Sequence, residues 1–176
     1  MTLLPAFRNV VFGLAVAGGA SAAVPVQAAP LPRLEADAMG GTHVVLPTDA
    51  AGKRLILLIA FTKESEGDVK SWSRKLLDDR IVQDAVVYVV VVADKTVSFE
   101  RGHVRKLVDG AAIGTKEQVA SNVLITFNGA GWRELVPPGD KKTAGIVVCD
   151  AGGQIVYAKR EPFTGANLAD VERAAR

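Results

Sequence analysis

Three carboxylates, Glu64, Glu66 and Asp68, crowd into one short stretch, Thr62-Lys63-Glu64-Ser65-Glu66-Gly67-Asp68. Carboxylates so placed can do two kinds of chemistry. One of them, with a raised pKa in a cleft, would work as a general acid or base, with Asp94 as a second group. Several together would form an oxygen rim for a hard cation, but the D-x-D-x-D-G spacing of a calcium loop is missing. The plainer role is electrostatic: acids in the first turn of a helix favour its dipole. Cys149 is the only cysteine. A lone thiol can act in a one-cysteine reaction or pair with a second chain. It cannot close an internal disulfide, form a CxxC pair or build a cysteine zinc site. Cys149 ends an apolar run, where a thiol packs as a small core residue with a raised pKa. His43 and His103 lack an H-x-H or H-x-x-x-H partner, so neither suggests zinc. Arg101, His103, Arg105 and Lys106 form a basic cluster, read as a solvated helix face or as a patch for an anionic partner. Trp132 follows the glycine-rich run Asn128-Gly129-Ala130-Gly131 and is expected either to anchor that loop or to offer a contact surface.

These groups need a frame, and residues 53–77 supply its centre. Residues 55–61 are an unbroken apolar run of strand length, as in a strand covered on both faces. The polar turn stops it. Ser65 is expected to cap the helix that follows, with Glu66 and Asp68 in its first turn. Val69, Trp72, Leu76 and Leu77 then form one apolar stripe. Residues 85–92 (AVVYVVVV) read as a second central strand, dense in β-branched residues. Two apolar strands joined by an amphipathic helix make a βαβ unit with parallel strands. Phe99, His103, Leu107 and Val108 suit a second helix, and residues 115–120 a short one. Residues 123–127 (VLITF) read as a third strand, and 132–135 as a short strand or turn. Residues 144–149 and 154–159 read as two strands joined by the turn Asp150-Ala151-Gly152-Gly153, with Ile155 and Tyr157 on one face and Val156 and Ala158 on the other. Asn167 is expected to cap a final helix. Upstream, residues 29–41 read as an extended lead-in, and 42–46 as a short strand of an N-terminal arm.

The totals bound the class. The chain has 176 residues and is 49% apolar, enough for one domain with a single core. Residues 1–28 have the three parts of a secretory signal peptide: a short start with Arg8, an uncharged apolar stretch, and small-residue sites ending at Ala22 and Ala28. Removing them leaves a net charge of +1, which gives no reason to expect nucleic acid. No remaining apolar run is long enough to span a bilayer. The expected address is periplasmic or secreted.

The order of elements, with its residues, resembles the thioredoxin-like superfamily. Three pieces carry the resemblance, which covers residue 42 to the C-terminus. They are the arm G-x-x-V-x-L-P from Gly41 to Pro47 with the strand KRLILLIAF, the strand VVYVVVV, and the hairpin GIVVCDAGGQIVY. The inserted strand near Val123 is similar to the peroxiredoxin-like branch. Phe61, Val69 and Trp72 also resemble a segment of the mitochondrial ATP synthase F0 assembly factors. Small periplasmic proteins of unknown function are similar too. The resemblance implies an α/β sandwich: a mixed central sheet made of a βαβ unit, a β-hairpin and a terminal helix, with an N-terminal β arm and one inserted strand. In redoxins the catalytic cysteine follows the strand-ending aromatic by about five residues, at the helix N-terminus, where the dipole stabilises a thiolate. Residues 64–69 hold no sulfur there, and Thr143-Ala144 stands where the family has a cis-proline.

The expectation is therefore an exported, redox-inactive thioredoxin-like domain over residues 42–176. It would act as a protein-interaction, assembly or stress factor, without cofactor or metal. Its recognition end would comprise Thr62, Lys63, Glu64, Ser65 and Glu66 with Trp132, Pro137 and Pro138, since ligands sit at the carboxyl ends of parallel strands. Its partner would be a protein, not nucleic acid. The alternative is an enzyme or thiol-dependent protein using the Glu64/Glu66/Asp68 turn or Cys149.

Overall fold

A computed structural model of the chain describes residues 29–78, 84–93 and 116–176. The central segment behaves as its pattern predicts. β4 (Arg54–Ala60) carries the apolar run, and every residue from Leu55 to Ala60 is buried. Both faces are covered because successive side chains alternate. Leu55, Leu57 and Ile59 join one apolar layer; Ile56, Leu58 and Ala60 join the other. α1 (Glu66–Asp78) lies on the second layer and buries Val69, Trp72 and Leu76 there. Full burial of such side chains contributes roughly 1.5–3 kcal/mol each. β5 (Ala85–Val92) returns parallel to β4, from Arg54↔Ala85 to Ala60↔Val91. The βαβ unit is thus present.

The expected helix after β5 lies outside the described residues, as do the expected signal peptide 1–28, Asp94 and the cluster Arg101, His103, Arg105 and Lys106. The described chain continues with α2 (Lys116–Asn122) and β6 (Val123–Thr126), which pairs parallel to β5. α3 (Ala130–Glu134) follows. β7 (Gly145–Cys149) runs antiparallel to β4, and β8 (Gln154–Arg160) antiparallel to β7. The turn between them forms as its residues require. Asp150 Oδ1 accepts from the N–H groups of Gly152 and Gln154, both at 2.9 Å, and Gly153 takes φ +76. α4 (Gly165–Ala174) closes the chain, placing Val171 in the same layer as α1.

The N-terminal part holds three more strands: β1 (Ala29–Pro30), β2 (Leu34–Ala38) and β3 (His43–Leu46). Among the described residues the sheet runs β1-β8-β7-β4-β5-β6-β2-β3. Residues 29–41 are therefore not a lead-in outside the domain. Leu34, Ala36 and Ala38 are buried in the layer opposite α1, and β2 pairs with both β3 and β6.

Four local expectations change. Residues 132–135 belong mostly to α3 rather than a strand, because a helical turn drops Trp132 into the core. Ile155 and Tyr157 do not share a face. A bulge at Val148/Cys149 shifts the register, so Ile155 packs with Cys149 while Tyr157 packs in the α1 layer. The last helix is capped by Thr164, whose hydroxyl accepts from the Asn167 N–H at 3.1 Å; Asn167 instead donates from Nδ2 to the Pro162 carbonyl. Ser65 does not cap α1 with its oxygen. It lies buried in a single 3-10 turn (Lys63–Ser65) and donates to the Thr62 carbonyl at 2.8 Å.

Candidate functional site

β4 delivers the turn 62–65 at the carboxyl end of the parallel strands, and α1 starts directly on it. The start of β7 lies at the same end, because Gly145 pairs with Ile59. The turn and the segment leading into β7 are joined: the Thr62 hydroxyl donates to the Lys141 carbonyl at 2.6 Å. Arg160, at the end of β8, stacks its guanidinium 4.9 Å from the Phe61 ring centre and donates Nε to the Thr143 carbonyl at 3.3 Å. Gly139 lies so close to this arginine that a Cβ would stand 2.9 Å from Arg160 Cδ. The loop carrying Pro137 and Pro138 is thereby held over Arg160, with both prolines exposed.

The three carboxylates of the turn have different fates. Glu64 is exposed. Its own backbone N–H holds its carboxyl below the usual range. That is the reverse of what a general acid at neutral pH needs. Glu66 is partly exposed beside it. Asp68 turns inward. Its Oδ2 accepts from the Ala144 N–H at 2.9 Å and its Oδ1 from the Phe163 N–H at 2.7 Å. One carboxylate thus ties α1 to the start of β7 and to the segment after β8. The Phe163 ring meets Trp72 edge-on, with centroids 5.2 Å apart. The metal-rim arrangement expected as one option is not assembled: no group of three or more His, Cys, Asp or Glu that could hold an ion occurs among the described residues.

The structure therefore gathers Thr62, Lys63, Glu64, Ser65, Glu66, Pro137 and Pro138 at one end of the sheet, with Ser65 buried beneath the others. Trp132 does not belong with them as a contact residue. It is 1% exposed and packs in the layer opposite α1, next to Leu135 and Val136. Cys149 lies at the far end of β7, opposite Leu55, and is fully buried. Burial first, and Asp150 second, push its thiol up to about 12. It helps wall a small cavity of about 150 Å³ with Pro47 and Leu55, at the end of the sheet away from the turn. His43 sits on β3, exposed, with Nδ1 2.8 Å from Asp37 Oδ1. That hydrogen bond raises its pKa. The single cis peptide bond among the described residues is Leu46–Pro47, not at Ala144.

Sequence reasoning missed Asp68 as a bridge, and with it Ala144, Phe163 and Arg160. The signal for Phe163 was weak: an aromatic in a loop that can reach Trp72 only once the hairpin has folded back.

Solved structures match this arrangement over most of the chain. A putative thiol:disulfide interchange protein DsbE from Chlorobium tepidum superposes with TM-score 0.60 at 16% identity, covering 84% of this chain and 93% of its own. The exposed lipoprotein thioredoxin of Streptococcus pneumoniae gives 0.58 at 15%, covering 81% and 98%. Peroxiredoxin Q of Xanthomonas campestris gives 0.55 at 18%, covering 81% and 89%. The chain has a thioredoxin-like fold. No family model matches the sequence, and no curated protein matches it. Identities this low establish the fold and leave activity to the residues themselves. On the thioredoxin-like frame, the turn 62–68 occupies the helix start where the redoxin resemblance places a cysteine, and it holds none.

Proposed function

We propose that this is an exported thioredoxin-like protein without thiol–disulfide chemistry, which recognises another protein through the turn 62–66, where Lys63 and Glu64 are exposed, and the loop 137–142. The observation that carries the reading is the Asp68 bridge. At the helix start, where a redoxin would present a thiolate, a carboxylate is spent on the N–H groups of Ala144 and Phe163. The only thiol is buried four residues along β7 from the strand's start at this end, too deep to meet a disulfide without unfolding. What remains outward is a mixed surface: Lys63, Glu64, Lys141 and Lys142 around Pro137 and Pro138. A mostly basic, solvent-exposed surface beside rigid prolines suits a polar, specific protein contact rather than a small-molecule cleft.

The test has two arms. In an insulin-reduction assay with dithiothreitol, the protein should give the same rate as its Cys149→Ser variant and as buffer. In the envelope of a producing cell, a photo-cross-linking residue at Lys63 or at Pro138 should capture one shared partner, and the same probe at Arg173 on α4 should not. Turnover above buffer would overturn the first half of the reading. Identical capture from all three positions, or none, would overturn the second. N-terminal sequencing of the exported form decides between processing after Ala22 and after Ala28.

A further inference from the structure

A β-sheet ends in unpaired backbone groups unless something closes it. Among the described residues the far edge is β3, the last strand in the sheet order. Its pairing with β2 is Leu34↔Leu46, Glu35↔Val45, Ala36↔Val44 and Asp37↔His43. The Ala38 N–H donates to the Thr42 carbonyl at 2.8 Å, which sets the alternation of an antiparallel ladder. Residues 42, 44 and 46 turn their N–H and C=O inward to β2, so His43 and Val45 turn theirs outward, away from the sheet. The Val45 N–H confirms this, since it donates not to β2 but to Asp49 Oδ2, at 2.7 Å. Asp49 stands just past the strand, in the 3-10 turn Thr48–Ala50. Its oxygen occupies the place a neighbouring strand's carbonyl would take.

We propose that Asp49 is an edge guard, an internal contact that keeps β3 from pairing with β3 of a second copy of this chain. The second copy is the partner that the edge fits. An antiparallel two-fold centred on Val44 would set His43 opposite Val45 of the other copy, twice, and the outward N–H and C=O groups of these residues would exchange four hydrogen bonds. Two of the four need the Val45 N–H that Asp49 occupies. The side chains do not oppose the pairing strongly: Val44 and Leu46 already face the core, and Val45 is half-buried. The guard is therefore the Asp49 side chain rather than bulk. This surface is separate from the proposed recognition end and does not depend on it.

The test is the oligomeric state of the leader-free chain, measured by sedimentation across a concentration series. Asp49→Ala is expected to dimerise at least about tenfold more tightly than wild type, about 1.4 kcal/mol. Asp49→Asn, which keeps an acceptor oxygen, is expected to behave as wild type. Adding Val45→Pro to Asp49→Ala removes the outward N–H, which an edge strand tolerates, and is expected to restore the wild-type state. If Asp49→Ala does not fold by circular dichroism, Asp49→Ser, whose oxygen falls short of Val45, takes its place. Equal association of wild type and the acceptor-free variant overturns the proposal. So does a dimer that survives Val45→Pro.

Discussion

Removing the Asp68 carboxylate should cost more than removing any other acid of the turn. The residue sits in the first turn of α1, partly buried, and its two oxygens serve two backbone donors, at 2.9 Å and 2.7 Å. In Asp68→Ala both donors lose their partner. Ala144 is fully buried, so water cannot replace the carboxylate there. An unsatisfied buried donor costs about 1–3 kcal/mol. Phe163 is half-buried and regains a water, so the loss on that side is one hydrogen bond to a charged group less its hydration, on the order of 1 kcal/mol. The sum is about 3 kcal/mol, which for a domain of this size lowers Tm by roughly 6–12 °C. Asp68→Asn keeps one acceptor oxygen but turns an amide N–H₂ toward the second donor, and should lie between wild type and alanine. Urea unfolding followed by the fluorescence of the buried Trp72 and Trp132 gives the numbers, with an unchanged m-value as the check that only stability has moved. Glu64→Ala and Glu66→Ala, whose carboxylates bridge no elements, should leave the midpoint in place. If Asp68→Ala unfolds with wild-type stability, or if all three substitutions cost the same, the bridge is not what holds this end of the sheet and the argument fails.

Further outcomes follow from burial. Cys149 should react with a thiol reagent in the folded protein only at the rate of opening, and at the ordinary rate in urea; fast labelling at neutral pH would place the thiol elsewhere. Its folded pKa lies above that of the unfolded chain, so the unfolded chain binds fewer protons once pH passes about 9, and unfolding free energy should fall by about 1.4 kcal/mol per pH unit between there and about 12. Cys149→Ala should remove that share of the pH dependence and leave the share due to Tyr88 and Tyr157, whose hydroxyls burial also pushes up. Trp132→Ala should lower stability by about 3–5 kcal/mol, as for a core aromatic, and should weaken partner capture only in proportion to unfolding. A stable variant that loses its partner would return Trp132 to the surface.

The fold was legible where neighbours in sequence carry the signal. An all-apolar strand, a helical stripe with Trp72, a valine-rich strand and the D-A-G-G turn each declare themselves locally, and each stands where expected. The lead-in was misread for a reason that can be named. Leu34-Glu35-Ala36-Asp37-Ala38 alternates in strict period two, but two of its three inward residues are alanine, too small to stand out from a loop. Trp132 misled in the opposite way: glycines before it signal a loop, whereas here they permit close approach, as Gly131 does to Leu34. The core explains why neither error displaced the sheet, since β4, β5 and β7 were fixed by runs that need no context.

Asp68 was not legible at all, and its case bears on the function. An acid at a helix start has the same local pattern whether it is solvated or bonded. Its partners here lie 76 and 95 residues further along the chain. What the helix start offers is electrostatic: the positive end of a dipole, good for any anion. A thiolate placed there becomes a nucleophile. A carboxylate placed there, with both oxygens engaged, becomes a strut between α1, β7 and the segment before α4. The same physical advantage of this position can therefore be drawn on either for reactivity or for rigidity. The Asp68 strut keeps the frame stiff at the end where the turn 62–66 and the loop 137–142 lie, which is what the proposed recognition surface would require.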